Sequence, residues 1–469
     1  MEISLPKNNV YCELIEDIAH AIKGTRWANS IYLCGGCVRD LLLGREIHDI
    51  DFVIQEYGGS INFAKWLCKE YGCYREDSNP IIYENSKCVK FNIKTISKFK
   101  DINIEVNDTK GIEEPFGTLL EDCLVRDLTI NALYMDICTK KVLDPSKNGL
   151  NDLKNGILRT PSDATKIFTK DPIKMLRIMR FHTLFGFSIE KKTWLSIVTN
   201  ASKIKDVAQE KITNEINKIL LAEHPSFGLR KMYHCGLLKR VLPEVYALVG
   251  CEQGEQHFGD AFEHTMSVVD KVHQMLPHRL GALFHDIAKP QCRCTVNGKV
   301  HFFSHEYSGA TLTTNIMKRM KYANNLIDLT SMAVKNHMRF KQVGNKCPSD
   351  KVIRKFMNDM ENSDNMAMVL DIINADNASH AIGYCMLEQV GLIINKIIEL
   401  RDKDEKESKS TKVVLPINGH DIMEHFNMKK GPRIGYFLDI VKDAYYENPN
   451  ITKEECFKEI EKIMHLDIV

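Results

Sequence analysis

Residues 33–53, LCGGCVRDLLLGREIHDIDFV, constrain this chain more than any other segment. Residues 31–33 are apolar and read as a short buried strand, Gly35-Gly36 as the tight turn after it, and residues 38–43 as the helix that the turn feeds. Backbone N–H groups at such a turn and helix start attract phosphate. A second strand is predicted over residues 49–54, and side chains two apart on a strand share a face, so Asp49 and Asp51 point together. Paired carboxylates suit two divalent cations. Two metals roughly 3.5–4 Å apart clamp the attacking and leaving oxygens of an in-line displacement, the requirement of phosphoryl or nucleotidyl transfer. A lone Asp-x-Asp reads as a polar edge strand. The glycine turn and Arg39-Asp40 in the same strand–turn–helix–strand unit favour the functional reading.

The remaining composition sets bounds. A chain of 469 residues is expected to hold about three or four domains. With 63 Lys and Arg against 62 Asp and Glu there is almost no net field, so contact with nucleic acid must come from a local basic face. No run of eighteen apolar residues occurs and no apolar leader opens the chain, so a soluble, cytoplasmic protein without a membrane partner is expected. The 15 cysteines are odd in number and scattered, as expected of reduced thiols. Cys34 and Cys37 form a CxxC, but no second pair completes a zinc site, and the turn already has a phosphate explanation.

Up to about Lys154 the pattern is mixed. Helices are predicted over residues 13–22 and 61–70, and strands over 88–93 and 102–106. This describes a compact α/β nucleotide-handling head. After Pro161 strand signals largely vanish and apolar residues recur at helical spacing, through residues 173–185, 207–221, 229–242 and onward. The charged run 401–412 is the best linker candidate, and Pro243 and Pro277 are weaker punctuation.

Further chemistry is spread along the chain. Arg126 and Asp127 flank an apolar strand-like segment, suited to a charge contact with triphosphate and a hydrogen-bond acceptor for ribose hydroxyls. Glu105 is either a third metal-facing carboxylate on a neighbouring strand or a solvent-facing glutamate. Pro172 suits the first turn of a helix and Asp171 its N-cap. Lys174, Arg177 and Arg180 then step by three along that helix as a fan of cations able to reach base and phosphates.

In order, these motifs are GG-x-VRD, DxD, RD-x-TINA (Arg126 to Ala132), Asp144-Pro145 with Gly149 and Asp152-Leu153, then DPxxxxLRxxRF. With Glu210-Lys211-Ile212, Gly236-Leu237-Leu238 and residues 415–438, they resemble the class II tRNA nucleotidyltransferase and bacterial poly(A) polymerase family over nearly the whole chain. The resemblance implies an α+β chain: a small mixed α/β nucleotidyltransferase head (1–154), then an all-α neck that binds base and RNA (155–235), an HD-type body (236–400), and a linker with a helical, RNA-binding tail (401–469). It implies template-independent addition of C, C and A to tRNA from CTP and ATP. Asp49 and Asp51 would bind Mg²⁺, with Glu105 beside them. Gly35, Gly36, Arg39, Arg126, Asp127, Asn131, Asp171, Lys174, Arg177 and Arg180 would hold the nucleotide, Asp127 checking the ribose and Asp171 with Lys174 reading the base. An A-adding enzyme or poly(A) polymerase shares these motifs. So, from another class, would a metal phosphohydrolase whose head only binds nucleotide.

The chain departs from the family pattern at three places. Lys170-Asp171-Pro172-Ile173-Lys174 stands where Glu-Asp-x-x-Arg is usual, replacing a rigid planar fork with a mobile point donor. Val125 replaces an arginine, and Asn107-Asp108-Thr109-Lys110 replaces the Arg-x-Glu of a loop. In the helical region His264, His285-Asp286 and Asp376 follow the order of an HD phosphohydrolase, with His305 and His337 placed as in two-metal versions. Imidazoles and carboxylates together bind divalent Mg, Mn, Ni or Fe, and a bound metal acidifies water enough to attack phosphate. Family members with this module process phosphates at RNA 3′ ends. Lys191, Lys192, Lys203, Lys205, Lys429, Lys430 and Arg433 are candidates for the RNA path.

Overall fold

The computed structural model describes residues 2–6, 9–74, 79–83, 88–93, 99, 102–256, 259–408, 415–429 and 432–466. Seven strands form the head sheet: β1 (Ile31–Cys34), β2 (Ile50–Ile54), β3 (Ile81–Tyr83), β4 (Cys88–Ile93), β5 (Ile102–Asp108), β6 (Tyr134–Asp136) and β7 (Val142–Leu143). Their order is β3-β4-β5-β2-β1-β6-β7; among the described residues of this sheet only β2 and β5 run parallel, as the helix Gly59–Glu70 lies between them in sequence. The apolar face of β2 explains its central place. Phe52 is fully buried and meets Phe63 of that helix edge-on at 5.9 Å, while Trp27 meets Phe63 at 5.5 Å.

From Ala164 the chain is predominantly helical, with successive helices at Ala164–Lys170, Ile173–Phe185, Lys191–Asn200, Gln209–Leu220 and Pro225–His234. Further on, Ala261–Lys271, Leu276–Phe284, His305–Arg319, Asn324–Asn336 and Ser363–Asn377 surround the histidines of the body. Two expectations need correction here. Strands do return after Pro161: Ser188–Ile189 pairs with Ile157–Leu158, and Arg293–Val296 pairs with Lys299–Phe302 across an Asn297-Gly298 turn. Both turn residues have positive φ (51° and 74°), the conformation that suits a two-residue hairpin. The first strand pair is two residues long on each side, and the hairpin strands lie largely at the surface without the apolar run that marks β1.

The second correction concerns the charged run. Residues 401–408, read as a linker, continue the helix Gln389–Ser408, so the division at 400/401 falls inside one element; residues 409–412 lie outside the described residues. Glu399 pairs with Lys396 at 3.0 Å and Lys403 at 2.8 Å, the i,i+3 and i,i+4 pairs that make such a sequence helical. The chain forms two compact units, residues 1–346 with 358–390, and residues 347–357 with 391–469. The second has its own core of Ile417, Ile422, Ile434, Phe437, Val441, Cys456, Phe457 and Ile460.

Candidate active site in the head and metal cluster in the body

Gly35 follows β1 with φ 68° and ψ −130°, a conformation open to glycine alone, and it starts the helix Gly36–Leu42. A Cβ at Gly35 would stand 3.6 Å from both an Asp51 oxygen and Arg126 Nη1, so the turn lies directly against the carboxylates. Asp49 is exposed just before β2, and Asp51 is the second residue of that strand. The β2–β5 register places Glu105 directly beside Asp51. Glu105 is thus on the carboxylate side. It is already engaged, with Lys90 Nζ at 2.8 Å and a hydrogen bond from Asn107 Nδ2 at 3.0 Å.

Burial, then Asp49 and Glu105, push the Asp51 carboxyl up to about 7. A divalent cation would relieve that repulsion, so these donors fit a metal. The Cys34 and Cys37 thiols are buried beneath the turn; burial raises Cys34 to about 12 and Cys37 well above its ordinary value, leaving neither as a ready thiolate.

A continuous chain of hydrogen bonds ties the turn to the helix Ile173–Phe185. Arg39 pairs with Asp40 at 2.7 Å and donates from Nη1 to Asn131 Oδ1 at 2.7 Å. Asn131 Nδ2 donates to Asp127 Oδ1 at 3.1 Å, and Arg177 Nε donates to Asp127 Oδ2 at 2.7 Å. Arg39 also lies over the rings of Phe181 and Phe185 at 5.2 and 4.8 Å. Burial opposes ionisation of Asp127, but Arg177 outweighs it and lowers the carboxyl to about 2.

The other cations are also committed. Arg126 bonds Asp122 at 2.8 Å and the Asn131 carbonyl at 3.2 Å while Tyr134 donates to Asp122 at 2.6 Å, a buried network beneath the cleft. Arg180 pairs with Glu215 at 3.2 Å. Lys174 Nζ donates to the Val125 carbonyl at 2.7 Å and sits 3.7 Å from Asp171. Asp171 does not cap the following helix, whose first turn receives no side-chain bond; it ends the preceding helix Ala164–Lys170 instead. Asp108 and Thr109, which replace the usual loop residues, have local work: Asp108 accepts from Gly58 and Ser60 amides at 2.7 and 2.8 Å, and Thr109 bonds the Gly117 carbonyl.

The residues singled out from sequence for metal and nucleotide line one cleft of about 1010 Å³ between the central strands of the sheet and the helix Ile173–Phe185. It brings together Gly35, Gly36, Arg39, Asp49, Asp51, Glu105, Arg126, Asp127, Asn131, Asp171, Lys174, Arg177 and Arg180. Asp122, Glu215, Lys90 and Lys218 were not foreseen, since each is recognisable only by the partner or cleft that the fold gives it. Of the basic residues suggested for an RNA path, Lys191, Lys192, Lys205 and Lys429 are exposed, and Lys203 donates to Thr169. Lys430 and the Arg433 side chain lie outside the described residues.

The body gathers a second set. His285, His305 and His337 each bring Nδ1 within 2.6–2.8 Å of a backbone carbonyl, and His264 brings its own within 3.4 Å of the Ser379 carbonyl. A carbonyl only accepts, so each Nδ1 carries a proton and each ring turns its Nε2 inward. The inward nitrogens meet in pairs, His264 with His285 at 3.3 Å and His305 with His337 at 3.3 Å. Two bare lone pairs at that distance repel, so each pair needs a proton or a metal ion between its nitrogens.

Asp286 stands between the pairs. Its Oδ2 is 3.1 Å from His285 and 3.7 Å from His264, and its Oδ1 is 3.3 Å from His305 and 3.7 Å from His337. Asp376 adds an oxygen 3.0 Å from His264. Burial acts against ionised Asp286, but His285 and Lys289 hold it well below the usual carboxylate range. Asp286 Oδ2 has no partner in hydrogen-bond geometry, although Lys289 Nζ lies 2.6 Å away. Two imidazoles and a shared carboxylate on each side make a donor set that fits a pair of divalent cations. Lys289 and Lys341, the latter 3.3 Å from Asp376, were not foreseen.

Fold and head site together define a metal-dependent nucleotidyltransferase. The head matches the family described as "Poly A polymerase head domain" over residues 31–159, and residues 186–248 match "Probable RNA and SrmB- binding site of polymerase A". The multifunctional CCA protein of Herminiimonas arsenicoxydans is 31% identical over 319 residues, 66% of this chain and 73% of that one. That of Vibrio parahaemolyticus is 29% identical over 367 residues, 75% and 85% of the two chains. The fold of the Bacillus stearothermophilus CCA-adding enzyme, solved in complex with CTP, superimposes with a TM-score of 0.64 at 20% identity, covering 98% of each chain. The chain belongs to the CCA-adding and poly(A) polymerase family of nucleotidyltransferases. None of the described helices is long and apolar enough to cross a membrane.

Proposed function

We propose that this chain is a template-independent tRNA nucleotidyltransferase that completes the CCA end, taking CMP and AMP from CTP and ATP. The observation that carries the reading is the single cleft holding Asp49, Asp51, Gly35 and Gly36 opposite Asp171, Lys174 and Arg177. Asp49 and Asp51 would hold Mg²⁺, and a metal bound there would supply the charge that activates a 3′-hydroxyl and offsets pyrophosphate. Gly35 and Gly36 bring backbone amides to the triphosphate. The Arg39–Asn131–Asp127–Arg177 chain fixes the helix that reads the base, and Asp127 keeps lone pairs for a ribose hydroxyl.

Lys174 supplies one donor where a guanidinium would supply a fork, and the Val125 carbonyl sets its position. Fifteen unpaired cysteines among the described residues support a reducing, cytoplasmic setting. The reading is tested by Asp51→Ala, which abolishes Mg²⁺-dependent extension of tRNA. Full extension by that variant would refute the head assignment.

The body cluster supports a second activity, metal-dependent hydrolysis of phosphate esters at RNA 3′ ends, with Mg, Mn, Ni or Fe held by His264, His285, Asp286, His305, His337 and Asp376. It survives Asp51→Ala and disappears in His285→Ala.

A further inference from the structure

The body cluster forms the floor of a cavity of about 850 Å³, and the rim of that cavity is of a different character from its floor. Asp286, His305 and Asp376 lie below, with Lys289 and Lys341 among them. On the rim stands the Arg293–Val296/Lys299–Phe302 hairpin, which carries His301 opposite Cys294 in its second strand and Phe303 just beyond that strand. The His301 and Phe303 rings are stacked, 5.2 Å apart and 4° from parallel. Phe303 remains 63% exposed. From the 380–388 loop Tyr384, 45% exposed, lines the same cavity.

An exposed phenylalanine contributes little to a core, and a parallel ring pair at a cavity mouth is a preformed surface for a third planar ring. Cations and metal ligands at depth suit a phosphate. A flat apolar rim suits the base attached to it through a ribose. Stacking of a base on an aromatic ring is tolerant of base identity, because every base offers a π-face.

We propose that the 293–303 hairpin is a nucleobase platform, with His301 and Phe303 as the stacking surface, that selects phosphates carried by a nucleoside for the body site. The inference rests on the phosphohydrolase reading of that site and adds the residues that hold the base. A free mononucleotide and an RNA 3′ terminus share the chemistry. A lower KM for an oligoribonucleotide than for the mononucleotide bearing the same group assigns the RNA end.

The test compares the full-length protein with its Phe303→Ala, His301→Ala and Phe303→Trp variants. The substrates are adenosine 2′,3′-cyclic phosphate and the base-free glycerol 1,2-cyclic phosphate, with Mn²⁺ supplied. Stacking worth the usual amount per base raises KM for the adenosine substrate about tenfold in the alanine variants, leaves kcat unchanged, and leaves glycerol cyclic phosphate unaffected; Phe303→Trp restores the wild-type KM. Equal KM values in all variants, or equal losses on both substrates, overturn the proposal. Should the wild type hydrolyse neither substrate, the phosphohydrolase reading fails and the platform is judged by binding alone. Adenosine 3′-phosphate then quenches the indole introduced by Phe303→Trp while glycerol phosphate does not, and absence of quenching overturns the platform as well.

Discussion

Asp127 is 4% exposed and bonded through both oxygens, to the Leu128 amide at 2.8 Å, Asn131 at 3.1 Å and Arg177 at 2.7 Å. Its carboxyl, about 2 in the fold, compares with about 3.9 in an unfolded chain. A gap of about two units corresponds to about 2.6 kcal/mol of stability. Because the folded value is depressed, that contribution is complete above about pH 5 and is lost as pH falls through 4 towards 2; about half remains at pH 3. Asp127→Asn keeps the volume and removes the charge, so it destabilises the head by about 2–3 kcal/mol at neutral pH. The difference between wild type and variant then narrows by about 1.2 kcal/mol between pH 5 and pH 3. Urea titrations followed by tryptophan fluorescence measure it, since Trp27, Trp66 and Trp194 all lie in the head and the helices next to it. A difference equal at the two pH values would refute the argument that an ion pair with Arg177 anchors the head to the helix Ile173–Phe185.

Other perturbations follow from particular contacts. A Cβ on Gly228 would stand 2.1 Å from Thr183 Oγ1 and 3.1 Å from Ile219 Cγ2, so Gly228→Ala destabilises by about 1–3 kcal/mol in a thermal scan, and a companion Thr183→Ala recovers most of the loss. Thr118 and Glu121 form a reciprocal capping box at the helix Leu119–Val125; Thr118→Ala lowers stability by about 1 kcal/mol, seen as a shift in the urea midpoint. His285→Ala removes one ligand from the body cluster, so metal analysis after dialysis against Mn²⁺ shows reduced stoichiometry while nucleotide addition at the head persists.

Much of the head was readable because its key strands are short β-like runs and its turn is spelled out by Gly35-Gly36. β1, β2, β4 and β5 fall where those runs placed them, to within one or two residues. β3, β6 and β7 are two or three residues long and leave no period to detect. The charged stretch at 401–408 looked like a linker by composition, yet Glu, Lys and Arg are good helix formers when their pairs fall at i,i+3 and i,i+4.

Within the site, residues with a distinctive motif were named from sequence, whereas those that hold them were not. Asp122 serves Arg126 from one helical turn earlier, Glu215 serves Arg180 from a later helix, and Lys90 serves Glu105 from a neighbouring strand. Asp171 followed by Pro172 had the signature of an N-cap, but the preceding helix claims its backbone, and its carboxylate faces Lys174.

The most direct measurement is incubation of the protein with Mg²⁺, CTP and ATP, singly and together, on a tRNA transcript that stops before CCA, with the 3′ ends resolved at single-nucleotide length. Addition of two C residues, then one A, then a halt is the predicted result. An A-only ladder, or no extension under any mixture, would contradict the account.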